Sequence, residues 1–303
     1  MRSLPHLLVI FFLTQTHGDS DKISGGYPAE EETFLYFVQL LVGKKLNSSK
    51  RPIVYGCGAT LIHTKWILTA AYCFTTNEEP KPPLMYFKKN YVQALMGSDE
   101  KAQGLNDPKF DIRPLQTAYI HPGYSRQKMK NDVALGELKA GFMVFENDGK
   151  TVMLPDKKSI LCPRGIVVGA GGDGDFQWTL VEIVQYTTAD PKDKTSKNTT
   201  FYSQDKEGHA FLGDTGGPYM CYKVQFGIIT GNIFDFDKEI VTTKYELVSS
   251  HMEFITSYVD FHTKWRGGSV GAQETKSSID RVTSDISFIV SFYIAVKNFL
   301  FIN

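Results

Sequence analysis

The sequence has few of the features that mark metal-binding or nucleic-acid-binding proteins. Its four cysteines include no CxxC pair, and His63, His121, His251 and His262 show no metal-ligand spacing. We therefore expect neither a metal site nor a cofactor. Lysine plus arginine equals aspartate plus glutamate at 33 each, so charge gives no reason to expect a nucleic acid as partner. These absences leave one folded domain with tails as the simplest interpretation of 303 residues.

Residues 1–18 have the pattern of a secretory signal peptide, with a basic Arg2, an apolar run and a cleavage point near Gly18. A secreted chain passes through an oxidising compartment, in which four cysteines favour two disulfides over a metal site. Asn47 and Asn198 each begin an Asn-X-Ser/Thr motif among polar neighbours and are predicted glycosylation sites. We therefore expect a secreted or extracellular glycoprotein.

The carboxyl-terminal part changes composition twice. Residues 266–285 are small and polar like a linker. Residues 286–303 form an apolar tail that Lys297 interrupts, which leaves too short a run for a comfortable membrane span. A polar spacer before an apolar tail is the format of a GPI-attachment signal, with Ser277 or Ser278 as attachment point, and would place the protein at the cell surface. A surface-lying amphipathic tail and an extension without a role are the alternatives.

Between these ends, short runs of β-branched and aromatic residues alternate with glycine and proline turns. Many short strands of this kind indicate an all-β sandwich or barrel. Residues 250–265 differ, because Met252, Ile255, Val259 and His262 lie at helical spacing and predict one helix packed on the barrel. The predicted strands are 34–42, 54–62, 66–70, 92–96, 133–138, 166–170, 178–186, 224–230 and 240–248.

Three motifs resemble those of the trypsin-like serine peptidases, in that family's chain order. The stretch FLGDTGGP resembles the nucleophile loop Gly-Asp-Ser-Gly-Gly-Pro, with Thr215 in place of the serine. The stretch from Cys57 to Cys73 resembles the segment ending in Thr-Ala-Ala-His-Cys, with Tyr72 in place of the general base. The motif NDVAL resembles Asn-Asp-Ile-Ala-Leu and carries Asp132 as the acid. Only the acid of the triad is intact.

The resemblance covers residues 23–265 and implies a double six-stranded antiparallel β-barrel with a C-terminal α-helix. It also implies two disulfides, Cys57 with Cys73 and Cys162 with Cys221. Lys22 before Ile23-Ser-Gly-Gly is similar to the family's activation junction, so residues 19–22 are expected to be a short propeptide. Cleavage there would free an α-amino group at Ile23 to pair with Asp214 as a conformational latch.

The resemblance also places the substrate-binding elements. The backbone N–H groups of Gly213 and Thr215 would form an oxyanion hole, since they do not depend on the side chains. His209 aligns with the floor of the primary specificity pocket and Phe211 with a position usually held by cysteine. Thr230 and Asn232 lie in the segment that corresponds to the family's binding site for the substrate backbone, and Thr243 aligns with a wall position that is usually glycine. Side chains at such wall positions would fill the pocket. The aromatic pair Phe234 and Phe236 either forms a binding patch or packs in the core.

Elementary acid–base chemistry argues against catalysis. A serine or threonine hydroxyl needs a base that accepts its proton and later returns it, and imidazole does this with a pKa of about 6.5. The phenol of Tyr72 is protonated at neutral pH, and a carboxylate at Asp132 beside it disfavours the phenolate further. Branching at Cβ also restricts the rotamer of Thr215. We expect a hydrogen-bond donor at position 72 and no functional triad.

These observations predict a catalytically inactive serine peptidase homologue that acts by binding a protein, as a decoy, cofactor or regulator of proteolysis. The partner expected is a peptidase, an inhibitor or a peptidase substrate. One alternative is an unusual active endopeptidase with Thr215 as nucleophile. Another is a degraded relative with a structural or adhesive role.

Overall fold

The computed structural model describes most of the region between the two tails. The described residues are 23, 25–30, 32–44, 53–75, 84–86, 92–97, 107–145, 148–156, 158–170, 177–186, 199–206, 208–211 and 213–261. The predicted signal peptide, the propeptide, both glycosylation sites (Asn47 and Asn198), the linker and the apolar tail lie outside them. Within the described ranges, no helix has the length and apolar character needed to span a bilayer.

Fourteen strands carry the fold. They are β1 (Tyr27–Pro28), β2 (Phe37–Lys44), β3 (Ile53–His63), β4 (Trp66–Thr69), β5 (Leu84–Tyr86), β6 (Val92–Met96), β7 (Asp111–Ile120), β8 (Ala134–Leu138), β9 (Arg164–Gly169), β10 (Gln177–Tyr186), β11 (Thr200–Asp205), β12 (Pro218–Cys221), β13 (Val224–Asp235) and β14 (Ile240–Leu247). Two 3₁₀ helices (Ala71–Cys73 and Val248–His251) and one α-helix, α1 (Met252–Tyr258), complete the described elements.

The strands close into two antiparallel barrels of six. The first has the order β2-β3-β4-β8-β7-β6 and returns to β2, while β5 pairs with the outer edge of β7. The second has the order β9-β10-β11-β14-β13-β12 and returns to β9, while β1 pairs with β10. The predicted double barrel is confirmed.

The two barrel cores are packed differently. The first is filled by aliphatic side chains of β2 to β8, such as Val38, Leu61 and Ile67, which are fully buried. The second is built around aromatic rings, in which Phe201 stacks on Tyr245 with ring centroids 4.8 Å apart. Glycine on neighbouring strands makes room for them, because a Cβ at Gly165 would lie 2.4 Å from the ring of Tyr219. Such close packing fixes the register of the strands that carry the site.

The C-terminal helix is shorter than predicted. Helix α1 ends at Tyr258, and Val259 has extended backbone angles (φ −106°, ψ 113°) although its side chain is fully buried. The apolar spacing of residues 250–265 continues past the helix because an extended residue can also point into the core. The prediction of a helix to Trp265 is therefore wrong in extent, and residues 262–265 lie outside the described ranges.

Candidate functional site

Two disulfides anchor the loops around the triad positions. Cys57 on β3 is bonded to Cys73 at the end of the first 3₁₀ helix, with Cα atoms 6.2 Å apart. Cys162 is bonded to Cys221 at the end of β12, with Cα atoms 5.9 Å apart. Both predicted pairings are confirmed. The first disulfide ties the segment that carries Tyr72 directly to the barrel.

Asp132 lies in a buried, hydrogen-bonded position just before β8. Only 6% of its surface is exposed, and its Oδ1 atom accepts a hydrogen bond of 2.8 Å from the backbone N–H of Tyr72. The backbone N–H of Ala71 is a second donor. Burial raises the pKa of the Asp132 carboxyl to about 7, while these donors and the nearby Lys244 act in the opposite direction. The carboxyl is thus held by backbone donors.

The side chain of Tyr72 does not donate a hydrogen bond to the carboxyl of Asp132. It is 43% exposed, and the guanidinium carbon of Arg126 lies 4.9 Å from the centre of its ring. Among the described residues, no group accepts a hydrogen bond from its phenol, so the expected side-chain donation to Asp132 is not found. A guanidinium over an aromatic face is a favourable cation–π arrangement. The side chain of Tyr72 therefore interacts with the guanidinium of Arg126 and not with the carboxyl of Asp132.

Thr215 lies in a loop that is packed tightly against the first barrel. Its carbonyl accepts a hydrogen bond of 2.8 Å from Gly58 on β3. Gly216 has a φ of +90°, and a Cβ there would lie 2.2 Å from the carbonyl oxygen of Gly58. Only glycine fits that position. The backbone conformation of the nucleophile loop is thus retained although the serine is absent.

The same loop presents the predicted oxyanion-hole donors. The N–H groups of Asp214, Gly216 and Gly217 all donate to backbone carbonyls. In the part of the chain that the structure describes, no acceptor is found for the N–H groups of Gly213 and Thr215. Gly213 has a φ of +102°, which orients the loop at this point. The oxyanion hole formed by this pair of N–H groups stays a prediction.

Both members of the predicted activation latch are buried in the second barrel. Ile23 is fully buried in its aromatic core. Asp214 is fully buried as well, and its Oδ2 atom accepts a hydrogen bond of 2.8 Å from the N–H of Phe211. A Cβ at Gly169 would lie 2.0 Å from the Asp214 carboxylate, so glycine is needed there. The ion pair itself requires cleavage after Lys22 and stays a prediction.

Three of the predicted specificity-pocket residues, His209, Asn232 and Thr243, are neighbours of one another. The amide nitrogen of Asn232 on β13 donates a hydrogen bond of 2.7 Å to the carbonyl of Ala210. His209 is buried, with its Nδ1 atom 3.0 Å from the carbonyl oxygen of Ala210. Thr243 is fully buried on β14, where it pairs with Asn232. Hydrogen bonds to the carbonyl of Ala210 and the strand pairing with Thr243 therefore connect these segments.

An aromatic cluster continues from this filled pocket onto the surface. The rings of Phe211 and Phe234 meet edge to face with centroids 6.1 Å apart, and Phe236 stacks on Phe234 at 6.1 Å. Phe236 is 86% exposed, and the neighbouring Ile233 is exposed too. Of the two interpretations of this aromatic pair, the structure excludes burial in a core. Phe211, at a position usually held by cysteine, contributes a ring contact instead.

A cavity at the triad position contains residues that no sequence motif identified. Its volume is 240 Å³ and it opens to solvent. Its lining residues are Tyr72, Tyr124, Arg126, Met129, Asp132, Thr230 and Lys244. Thr230, predicted in the segment that binds the substrate backbone, lies in this cavity, and its hydroxyl donates to the carbonyl of Lys244 at 3.3 Å. The cationic members have no spacing signal, because they come from a loop and a strand far apart in sequence.

Lys244 belongs to a buried ionic cluster beneath the cavity. Its Nζ atom donates to the carbonyl of Met129 and lies 3.8 Å from the Oε1 atom of Glu246. The other carboxylate oxygen of Glu246 lies 3.1 Å from the Nε2 atom of His251. Burial and the neighbouring His251 lower the pKa of His121 to about 4, so His121 is neutral at pH 7. The cluster connects the site to the beginning of α1.

Comparison with known proteins settles the family. The model of the Trypsin family matches residues 23–249. The chain belongs to the trypsin family. It is 24% identical to granzyme B of Homo sapiens over 75% of this chain and 87% of that protein. It is 26% identical to kallikrein-7 of Homo sapiens, over 75% and 85% respectively. Trypsin II-P29 of Gallus gallus is 25% identical, over 71% and 80%.

Membership of the trypsin family accounts for the two barrels and for the position of the site between loops of both. The two disulfides agree with an extracellular location, since such bonds persist in oxidising environments.

Proposed function

We propose that this trypsin-family protein is a catalytically inactive homologue that acts by binding another protein. The observation that carries the proposal is the environment of Asp132. Its carboxyl is held by backbone N–H groups of Ala71 and Tyr72, while the side chain at position 72 is a half-exposed phenol covered by Arg126. Among the residues that the structure describes, the acid is therefore not hydrogen-bonded to any base.

Without a base, a hydroxyl nucleophile gains little from the rest of the site. Acyl transfer needs a group that takes the proton of the hydroxyl and then returns it to the leaving amine. Loss of triad members leaves at most the contribution of the oxyanion hole and of substrate binding, about 10³- to 10⁴-fold over water. The backbone N–H groups of Gly213 and Thr215 would supply that residual effect, which is too small for a digestive or signalling peptidase.

The filled specificity pocket supports the same proposal from the substrate side. A substrate side chain would have to displace the hydrogen bond between Asn232 and the carbonyl of Ala210. It would also meet the buried His209 and Thr243. Each displaced group would lose its present packing or hydrogen bond, which costs free energy of binding. Recognition in the usual substrate mode is therefore disfavoured even if a base were restored.

Protein binding is supported by the surface beside the filled pocket. Phe236 and Ile233 expose apolar side chains on the β13–β14 hairpin. Exposed aromatic residues are typical anchors of protein interfaces. The expected partner is a peptidase, an inhibitor or a peptidase substrate, and the proposed location is extracellular or at the cell surface.

A fluorophosphonate probe tests the absence of catalysis directly. We expect no labelling of the natural chain after cleavage at Lys22. A Tyr72→His plus Thr215→Ser variant is the matched control, and adding Asn232→Gly to it removes the bond across the pocket. Labelling of the repaired variants alone would support the proposal. Stoichiometric labelling of the natural chain at Thr215 would instead establish the alternative, an endopeptidase with a threonine nucleophile.

A further inference from the structure

Three apolar side chains are exposed at the end of the β13–β14 hairpin. Ile233 is 57% exposed, Phe234 36% and Phe236 86%. Phe236 belongs to the connection between β13, which ends at Asp235, and β14, which begins at Ile240. Large apolar side chains that are exposed this close together mark interaction sites on proteins. We call Ile233, Phe234 and Phe236 the hairpin surface.

The exposed ring of Phe236 is supported on one face by other rings. It stacks on Phe234 with centroids 6.1 Å apart and an interplanar angle of 19°. Phe234 in turn meets Phe211 edge to face at 6.1 Å and the buried His209 at 6.4 Å. A ring that is already packed on one face loses little side-chain freedom when a partner covers the other face. The hairpin surface is therefore prepared for binding.

The connection that carries Phe236 is closed by one aspartate. The Oδ1 atom of Asp235 accepts a hydrogen bond of 3.2 Å from the backbone N–H of Lys238. Its Oδ2 atom lies 3.1 Å from the Nζ atom of the same lysine. Both contacts span Phe236 and Asp237, which lie between the two residues in the chain. The backbone that presents Phe236 is thus held in a turn before a partner arrives, which reduces the entropy lost on binding.

Negative charge borders the hairpin surface. Residues 235–239 contain three carboxylates and one lysine. Lys238 is paired with Asp235, whereas the side chains of Asp237 and Glu239 are exposed. In the ranges that the structure describes, no lysine, arginine or histidine forms an ion pair with either of these two carboxylates. The electrostatic field beside Phe236 is therefore negative.

We infer that the hairpin surface is a docking site for a segment of a partner protein in which an apolar residue stands next to a lysine or arginine. The apolar side chain packs on the open face of Phe236, and the cation pairs with Asp237 or Glu239. Protein interfaces commonly combine an aromatic centre with a polar rim of complementary charge. The inference rests on the proposed function and adds the chemistry of the partner.

The carboxylates favour a basic protein segment over a lipid bilayer. Asp237 directly follows Phe236 in the chain, so insertion of the ring into lipid would carry a carboxylate with it. Burial of an unpaired carboxylate in an apolar medium is strongly unfavourable. Helices that lie in the bilayer surface instead combine aromatic residues with lysine and arginine. A basic partner segment, in contrast, supplies the cations that these carboxylates need.

Panning a random heptapeptide phage library tests the inference on the intact chain. We expect the enriched peptides to contain an excess of apolar residues next to lysine or arginine. That excess should vanish on Phe236→Ser. Phe145→Ser is the matched control, because Phe145 is an exposed phenylalanine outside the hairpin. An excess that persists on Phe236→Ser, or no excess at all, would overturn the inference.

The role of charge has its own variant. Asp237→Asn plus Glu239→Gln keeps the size of both side chains and removes their charge. We expect panning on this variant to lose the excess of lysine and arginine. Glu30→Gln plus Glu253→Gln is the control, since both glutamates are exposed and lie outside the hairpin. A basic excess that survives loss of both hairpin carboxylates would reject the proposed charge pairing.

Affinity measurement by calorimetry completes the test with one enriched synthetic peptide. Phe236→Ser should weaken its binding at least about tenfold, as expected for loss of an aromatic anchor. Binding to the natural chain should also weaken between about 0.1 M and about 1 M NaCl, because salt screens exposed charges. An affinity that neither change lowers would contradict the inference.

Two other occupants give different results. Binding of phosphatidylcholine vesicles that requires Phe236, with the peptides silent, would assign the hairpin surface to a bilayer and reject the inference. Dimerisation in sedimentation velocity that Phe236→Ser abolishes, again with the peptides silent, would assign it to a second copy and reject the inference as well. Cleavage of the bound peptide, detected by mass spectrometry, would refute the proposed loss of catalysis while the docking of a basic segment stands.

Discussion

Replacement of Asp132 by asparagine should change how the stability of the protein depends on pH. Burial raises the pKa of this carboxyl from 3.8 to about 7 in the folded chain. Between these values the folded state keeps a proton that the unfolded state has lost. The stabilising contribution of Asp132 is therefore complete below about pH 4 and is lost as pH rises towards 7.

The size of this effect follows from linkage. One proton of difference corresponds to about 1.4 kcal/mol per pH unit, and the span between the two pKa values is about three units. The free energy of unfolding should thus fall by about 4 kcal/mol across the window through Asp132 alone. Asparagine does not ionise, so the Asp132→Asn variant should gain stability relative to the natural chain by about that amount between pH 4 and pH 7.5.

The titration of His121 changes the stability of the protein with pH in the opposite direction, so its effect must be separated from that of Asp132. Burial lowers the pKa of His121 to about 4, so the unfolded state takes up a proton below about pH 6.5 while the folded state does not. Its contribution to stability is lost as pH falls. The two slopes oppose each other in the natural chain. Because His121 is present in both proteins, the difference between variant and natural chain isolates Asp132, whose other charged neighbours are Lys244 and Glu246.

Urea unfolding at pH 4.5, 5.5, 6.5 and 7.5, followed by tryptophan fluorescence, measures this difference. Asp237→Asn on the exposed hairpin tip is the control and should show a small, nearly constant difference. A difference for Asp132→Asn that does not vary with pH would refute the reasoning, because it would mean that the folded carboxyl titrates like the unfolded one.

Two further predictions concern packing and charge. Gly165→Ala places a methyl group 2.4 Å from the ring of Tyr219 and should lower the free energy of unfolding by about 1 to 3 kcal/mol. Gly56→Ala, whose new Cβ meets its nearest neighbour at 3.9 Å, should have a much smaller effect, and equal melting temperatures for the two variants would contradict this account. Lys244→Met leaves the buried Glu246 without its nearest lysine and should cost about 3 to 5 kcal/mol. Adding Glu246→Gln should recover part of that loss in urea unfolding, and a strictly additive double variant would show that the pair is not coupled.

The elements that could be predicted from sequence are those with a local signal. Strands in which most residues are apolar, such as β4 and β6, could be predicted, because short apolar runs of this kind are typical of buried strands. Strands β7 and β11 were not predicted, since Arg113 and Pro114 in β7 and the polar run of β11 give no strand-like alternation. The length of α1 was overestimated because apolar spacing cannot tell a helix from an extended residue that also points inward.

The sequence by itself determined the family frame, the cysteine pairs and the tyrosine at position 72, because each follows from the identity of residues at motif positions. Tertiary structure alone decided what surrounds that tyrosine. Only the fold brings the guanidinium of Arg126 over the ring of Tyr72 and the ammonium of Lys244 under the same cavity, since these residues lie far apart in the chain and no spacing rule relates them. The pKa of Asp132 likewise depends on burial, which is a property of the packed molecule.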